Sequence, residues 1–359
     1  MRRGLISWSR EEVPALVLER RVARLQNRMR DAGLGAVLVY TSFARPSAVA
    51  WLTHFVPYWN EALLVIFPTE APVLLAAFSK RVHDWIRSVS HLGEVRSAPD
   101  LGPAAAAFLK ERSPEPARIG VIELDALPWS VAEAMAKPGS GAELVDATGV
   151  FASVRQPADE SEVLLARRAA EIAARALDTV PATARRTSEV LSALDASARL
   201  DGAEEVLTRL APDLRADPTL RRFEGEAPLG ERYGVELSVA YKAAWVRVTR
   251  CFSRNAAPRS WELAARWFAE TTSRLEEKSV SAGPGALPPP GKLASWIVET
   301  CTGSQPLSIF AGDRLAPRQA LPAGALASLS LQLSLDDGPW LGGGPLVIGA
   351  SGRPSRLLI

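Results

Sequence analysis

Between Glu19 and Ala147 the chain switches repeatedly from a helical to an extended hydrophobic pattern, and that alternation restricts its fold more than any other feature. Glu19 to Gly33 (ERRVARLQNRMRDAG) places Val22, Leu25, Met29 and Ala32 on one helical face with arginines opposite, and Gly33 ends the run. Ala36 to Tyr40 reads as a buried strand; Ala62 to Phe67 and Val73 to Ala77 read as two more, joined by a turn containing Pro68. A helical segment at Val82 to Val89, a helix at Pro103 to Arg112 and a strand at Arg118 to Glu123 follow. A helix near Trp129 to Ala136 and a strand at Glu143 to Ala147 complete the series. Elements at these intervals predict a three-layer α/β domain ending near residue 153.

The rest of the chain has a different rhythm. Arg155 to Asp178 is a long helical stretch: Asp159 or Ser161 can cap it, acidic residues fill its first turn, and Val163, Ala166, Ala170, Ala173 and Leu177 form an apolar stripe. Thr187 to Leu200 and Ser260 to Leu275 read as two further long helices. Ser281 to Lys292 is a Pro/Gly-rich loop, Leu293 to Glu299 reads as a short helix, and Ala325 to Leu335 and Pro345 to Ile348 read as strands. Gly342 to Gly344 precede a strand and do not open a helix, which fits a tight turn better than a phosphate cradle. Asp336-Asp337-Gly338 fits a hairpin turn better than a calcium loop, because partner carboxylates at loop spacing are missing.

Composition removes several function classes. With 359 residues, 47% hydrophobic and 23% charged, the chain has the make-up of a two-domain globular protein. A net charge of +2 with no long basic run argues against a nucleic-acid surface. The apolar runs are far shorter than a bilayer span, Arg2 and Arg3 form only a short basic tip, and no signal-peptide pattern is visible. The expectation is a cytoplasmic protein with neither a nucleic-acid nor a membrane partner. Its two cysteines, Cys251 and Cys301, fit reduced cytosolic residues. All three histidines, His54, His83 and His91, lie in the first hundred residues, so the last two thirds of the chain has no imidazole. A serine or cysteine nucleophile there would lack a histidine base in its own domain.

Val235 to Phe252 reads VELSVAYKAAWVRVTRCF. It resembles the strand pair D-x-G-x-x-Y-x-G-Y-x-x-D-x-T-R-T-F of the creatinase, prolidase and methionine aminopeptidase family, with Tyr241, Thr249-Arg250 and Phe252 as landmarks. Two other stretches are similar to the same family. The opening helix and strand lead to SFARPSAVAWLTHF, where Trp51, Leu52, Thr53 and Phe55 occupy a "YLTGF"-like turn with His54 at the usual glycine. Val154-Arg155, Glu162-Val163 and Arg168-x-Ala170 match the family's entry into the catalytic domain. The resemblance implies an α/β (α+β) protein. A three-layer creatinase-like N-terminal domain, residues 1–153, would precede a pita-bread domain, residues 154–359, with a curved antiparallel sheet and outer helices.

The resemblance also implies a metal set of two aspartates, one histidine and two glutamates, and this sequence departs from it. The aspartate positions hold Glu236 and Arg247, the glutamate positions fall at Ser330 and near Gly343, and no histidine is available. The family's catalytic histidine falls near Arg221-Arg222-Phe223. Arginine donates no lone pair to a metal and is no general base near neutral pH. A degenerate member is therefore expected, with no metal ligands, no cofactor and no catalytic residue assigned.

Two readings of Glu236 and Arg247 stand at this point: a buried salt bridge filling the old metal cavity, or an anion-binding guanidinium. The candidate ligand-binding cleft comprises Arg222, Glu236, Tyr241, Trp245, Arg247 and Arg250, with Phe223 alongside and His54 entering in trans from a homodimer partner. The expected function is a pseudo-peptidase binding a small anionic or peptide ligand or a partner protein. The alternatives are a hydrolase cleaving a C–N bond through a reassigned site such as Glu236 with Arg247, and a regulatory subunit pairing with an active paralogue.

Overall fold

The computed structural model describes residues 7–57, 59–112, 118–136, 143–276, 283–285, 287–300, 313–314, 321–350 and 353–359. The chain packs as two units that divide between Arg155 and Gln156.

In the N-terminal unit, α1 (Ala15–Asp31) buries Leu18, Leu25 and Met29 on the face expected from their spacing, and Gly33 leaves the helix at φ +63°. It leads into β1 (Ala36–Ser42), α2 (Ser47–Thr53), β2 (Glu61–Ile66), β3 (Val73–Ala76), α3 (His83–Val89) and β4 (Glu94–Ser97). Then come α4 (Leu101–Arg112), β5 (Arg118–Ile122), α5 (Trp129–Ala136), β6 (Glu143–Asp146) and α6 (Thr148–Arg155). The six strands form one mixed sheet in the order β4-β3-β2-β1-β5-β6. Because strand side chains alternate, Val37 and Val39 of β1 pack with Leu25, Leu52 and Phe151, while Ala36 and Leu38 pack with Leu101, Phe108 and Val131. Helices cover both faces, which is the three-layer α/β arrangement.

In the second unit, α7 (Glu160–Asp178) is capped by Asp159, whose carboxylate accepts from the Glu162 amide at 2.9 Å. It is followed by α8 (Thr187–Leu200), β7 (Glu205–Ala211), β8 (Arg232–Tyr241), β9 (Ala244–Ser253) and α9 (Arg259–Ser273). The chain continues with β10 (Lys292–Thr300), β11 (Asp313–Arg314), β12 (Leu326–Leu335), β13 (Gly338–Val347) and β14 (Arg356–Leu357). The sheet is antiparallel, in the order β11-β10-β12-β13-β9-β8-β7, with β14 paired to β13. One face of β8 and β9, carrying Val235, Leu237, Val239, Val246 and Val248, packs under Ala166, Ala170, Ala173 and Leu177 of α7 and Val190 and Leu194 of α8. The other face carries Glu236, Ser238, Arg247 and Thr249, with Ala240 and Trp245 at its turn end.

Two expectations are corrected. Leu293–Glu299 is the body of strand β10, not a helix: Trp296, Ile297 and Val298 favour extended backbone, and β12 supplies a partner for nearly every residue from Lys292 to Thr300. Gly342–Gly344 lie inside β13 and make no turn. Glycine is required there by crowding, since a Cβ on Gly343 would stand 2.7 Å from the Leu329 carbonyl oxygen and one on Gly344 would stand 2.8 Å from Ile359. The turn lies just before them: Leu335 pairs with Gly338, Asp336 and Asp337 bridge the hairpin, and Gly338 takes φ +115°.

The β8–β9 hairpin closes through Lys242 and Ala243, both left-handed at φ 48° and 65°. The Glu204 carboxylate accepts from the Ala243 amide at 2.7 Å and holds this turn. A side chain at a left-handed position is strained, so Ala243→Gly is expected to stabilise the protein by about 1 kcal/mol, read as a higher urea midpoint.

Candidate functional site

Sheet register assembles the polar face strand by strand. Arg209 of β7 pairs with Glu236 of β8, Glu236 with Thr249 of β9, Thr249 with Gly343 of β13, Gly343 with Ser330 of β12, and Ser330 with Ile297 of β10. Paired residues share a face. The neighbouring rung carries Ser238 opposite Arg247, and Ser328 opposite Glu299. The floor in β12 and β13 is therefore built of small residues, and long charged side chains reach across it from either side.

The charges meet at Arg247, which is 3% exposed. Its Nη1 donates to Glu299 Oε2 at 2.5 Å, its Nε stands 3.4 Å from Glu236 Oε1, and the same Nε donates to Ser238 Oγ at 3.4 Å. Arg209, less buried, donates from Nε to Glu236 Oε1 at 2.6 Å. Glu236 and Glu299 are both buried, at 3% and 2% exposure. Two guanidinium groups and two carboxylates thus balance. They line an open pocket of about 400 Å³ together with Thr249, Ser330, Gln332 and Ser295 and the apolar Leu220, Ile297, Leu331 and Leu341. On its floor Thr249 Oγ1 and Ser330 Oγ are buried and have no hydrogen-bond partner, as has Ser328 Oγ on the next rung.

Of the expected cleft residues, the fold brings Glu236 and Arg247 together and sends the others elsewhere. Arg250 lies one residue out of phase with Arg247, on the helix side, and its Nη1 pairs with Asp178 of α7 at 2.5 Å. Tyr241 and Phe223 pack with the helix-side core, so neither lines the pocket. Trp245 shares the polar face but is buried against Ala240. Arg222 is exposed and not among the pocket residues. His54 belongs to the N-terminal unit, where it ends α2 at φ 63° and donates its amide to Ala50 at 2.7 Å. The backbone there takes the conformation for which glycine is suited. His83 contacts Ser97 Oγ at 3.2 Å and His91 contacts Glu19 at 3.2 Å.

Sequence reasoning missed Arg209 and Glu299. Each is a charged residue inside an apolar strand, but the sequence pattern gives no strand at Glu205–Ala211 and reads Leu293–Glu299 as a helix, so neither charge falls on a sheet face from sequence alone. Cys251 is structural: its thiol exchanges hydrogen bonds with the Leu341 backbone, and burial pushes its pKa up to about 12, the opposite of an activated nucleophile. Cys301 lies outside the described residues.

The donor set does not fit the divalent metals that the resemblance implies. A metal centre needs lone-pair donors converging on one point, whereas here a guanidinium stands between the two buried carboxylates. Among the described residues no three His, Cys, Asp or Glu side chains group in a way that could hold a metal ion. Arg247→Ala would remove the cation between two buried carboxylates and is expected to cost about 3–5 kcal/mol. Arg247→Met combined with Glu236→Gln and Glu299→Gln is expected to recover most of that loss, both read by urea unfolding.

Residues 21–156 match the creatinase/prolidase N-terminal domain family. No curated protein matches the sequence. Among solved structures, the prolidase from Pyrococcus horikoshii OT3 superposes with a TM-score of 0.74 at 14% identity, over 94% of this chain and 97% of that one. The Xaa-Pro dipeptidase from Bacillus anthracis gives 0.73 at 15% identity, over 95% and 97%. The X-Pro aminopeptidase from Thermotoga maritima MSB8 gives 0.69 at 13% identity, over 94% and 96%. The chain thus carries a creatinase/prolidase N-terminal domain over residues 21–156 and shares its overall fold with solved prolidases and X-Pro aminopeptidases, its second unit matching their pita-bread sheet.

Proposed function

We propose that this chain is a pseudo-peptidase: an ion-pair cluster stands where the family resemblance implies a metal centre, and the pocket binds a small peptide-like molecule without hydrolysing it. The observation that carries this reading is Arg247, buried between Glu236 and Glu299. Amide hydrolysis needs an activated water or nucleophile and a group to move its proton. Glu236 Oε1 is engaged by Arg209 and Arg247, so its geometry is that of an ion-pair member and not of a base aimed at a substrate. The second unit contains no histidine.

An anion as ligand has weaker support than a peptide, since Arg247 already faces two carboxylates and Arg209 faces one. Among the described residues no helix is long and apolar enough to cross a membrane. In this reading the protein acts in the cytoplasm as a homodimer, the state the family resemblance implies.

The test is to offer the purified protein manganese, cobalt, iron and zinc in turn, dialyse, measure bound metal by inductively coupled plasma mass spectrometry, and assay release of proline from alanyl-proline. The expected outcome is folded protein with no stoichiometric metal and no proline released. Metal-dependent release of proline would overturn the reading.

A further inference from the structure

The pocket has a chemical preference that can be read from its lining, an inference that rests on the pocket being a binding site. Charged relatives of the ligand are poorly matched: the lining carries Arg209 and Arg247 against Glu236 and Glu299, so the site presents no net charge to an incoming ion. A free carboxylate would have to compete with Glu299 for a guanidinium held at 2.5 Å, and a free ammonium would have to compete with that guanidinium for a carboxylate. Either ion would also lose hydration, and the pocket holds no uncommitted counter-charge to offset that loss.

What the floor does offer is hydrogen bonding. Thr249 Oγ1 and Ser330 Oγ are buried with no partner, and Thr249 is only 7% exposed. A buried hydroxyl without a partner is costly, and a ligand that hydrogen-bonds to it removes that cost. The two residues flank Gly343 on a single rung, which sets their Cα atoms two strand spacings apart, about 10 Å. Gly343 between them adds no side chain, and a Cβ there would stand 3.1 Å from Thr249 Oγ1. Leu220, Leu331 and Leu341 supply apolar walls and Gln332 a further amide.

We propose that this pocket takes an uncharged small molecule of the amide class, lying over Gly343 with hydrogen bonds to Thr249 and Ser330. It discriminates against the same molecule bearing free ionised termini. Donors and acceptors of a neutral amide suit a hydroxyl pair, which can turn to donate or accept as required.

The probes are N-acetyl-alanyl-prolinamide and free alanyl-proline, titrated by isothermal calorimetry into the full-length protein without added metal. The blocked compound is expected to bind at least about tenfold more tightly than the free one, the scale of two hydrogen bonds gained against ions left poorly solvated. Thr249→Val and Ser330→Ala are each expected to weaken the blocked compound about fivefold, while leaving the urea midpoint unchanged or raised, because neither hydroxyl has a partner to lose. Equal or tighter binding of the free dipeptide would overturn the proposal, as would undetectable binding of the blocked compound. Loss of stability in the Thr249→Val variant with unchanged binding would do the same, by showing the hydroxyl to be structural. These outcomes are separate from the failure of the binding-only reading, which would show as proline released from alanyl-proline whichever compound binds better.

Discussion

The ion pair between Arg247 and Glu299 is the contact on which the second unit's site depends. Arg247 is on β9 and Glu299 on β10, and two other strands, β13 and β12, lie between them in the sheet. In a flat sheet the two Cα atoms would stand three strand spacings apart, about 14 Å, with side chains projecting in parallel. A 2.5 Å contact across that gap requires the sheet to curve toward its polar face and the intervening residues to be small. The second condition is met by Ser328 on the rung that joins them, beside Pro345, and by Ser330 and Gly343 on the next. The pair therefore tethers β9 to β10 and marks the concave side of the sheet, while Arg209 and Glu236 extend the network to β7 and β8.

Such a network specifies more strongly than it stabilises. Removing charges from water costs several kcal/mol per ion, and apolar residues of similar volume often serve stability as well or better. Its consequence is register. A slip of one residue in β9 would turn Arg247 toward α7 and bring Val246 or Val248 to the polar face, leaving Glu236 and Glu299 without the cation between them. The alternation of valine and polar residues in VRVTR sets the same register independently, so local pattern and long-range charge agree.

How much of this was legible in the sequence depended on whether a signal was local. Helices α1, α5, α7 and α8 and five of the six strands of the N-terminal unit are visible because hydrophobic periodicity acts over a few positions, and Trp129–Ala136 and Thr187–Leu200 fall where the pattern puts them; the short β4, Glu94–Ser97, carries no such pattern. Glu236 and Arg247 could be placed together because they belong to neighbouring strands of one hairpin. The errors arose where tertiary contacts decide. Leu293–Glu299 is too short and too apolar for periodicity to separate a buried strand from a helix, and β12 decides for strand. Once it was read as a helix, Glu299 could not be recognised as the partner of Arg247. Arg250 and Tyr241 were assigned to the cleft by their nearness to Arg247 in sequence, yet strand alternation turns both to the helix side.

Two positions hold a left-handed backbone at residues other than the glycine best suited to it. His54 holds φ 63° and Ala243 holds φ 65°, each where the family resemblance places a glycine, and Glu204 anchors the second. The same relation holds at the site, where the strand pair keeps its geometry although the side chains at the aspartate positions are Glu236 and Arg247. A buried cluster without a role would be expected to fill with apolar side chains, since that removes both the desolvation cost of the charges and the cost of unpartnered hydroxyls. This one instead keeps four charged groups, two bare hydroxyls and about 400 Å³ of space over Gly343. Stability alone does not account for that combination; in the proposed reading a ligand supplies the missing hydrogen bonds, and the balanced charges leave the pocket polar but neutral.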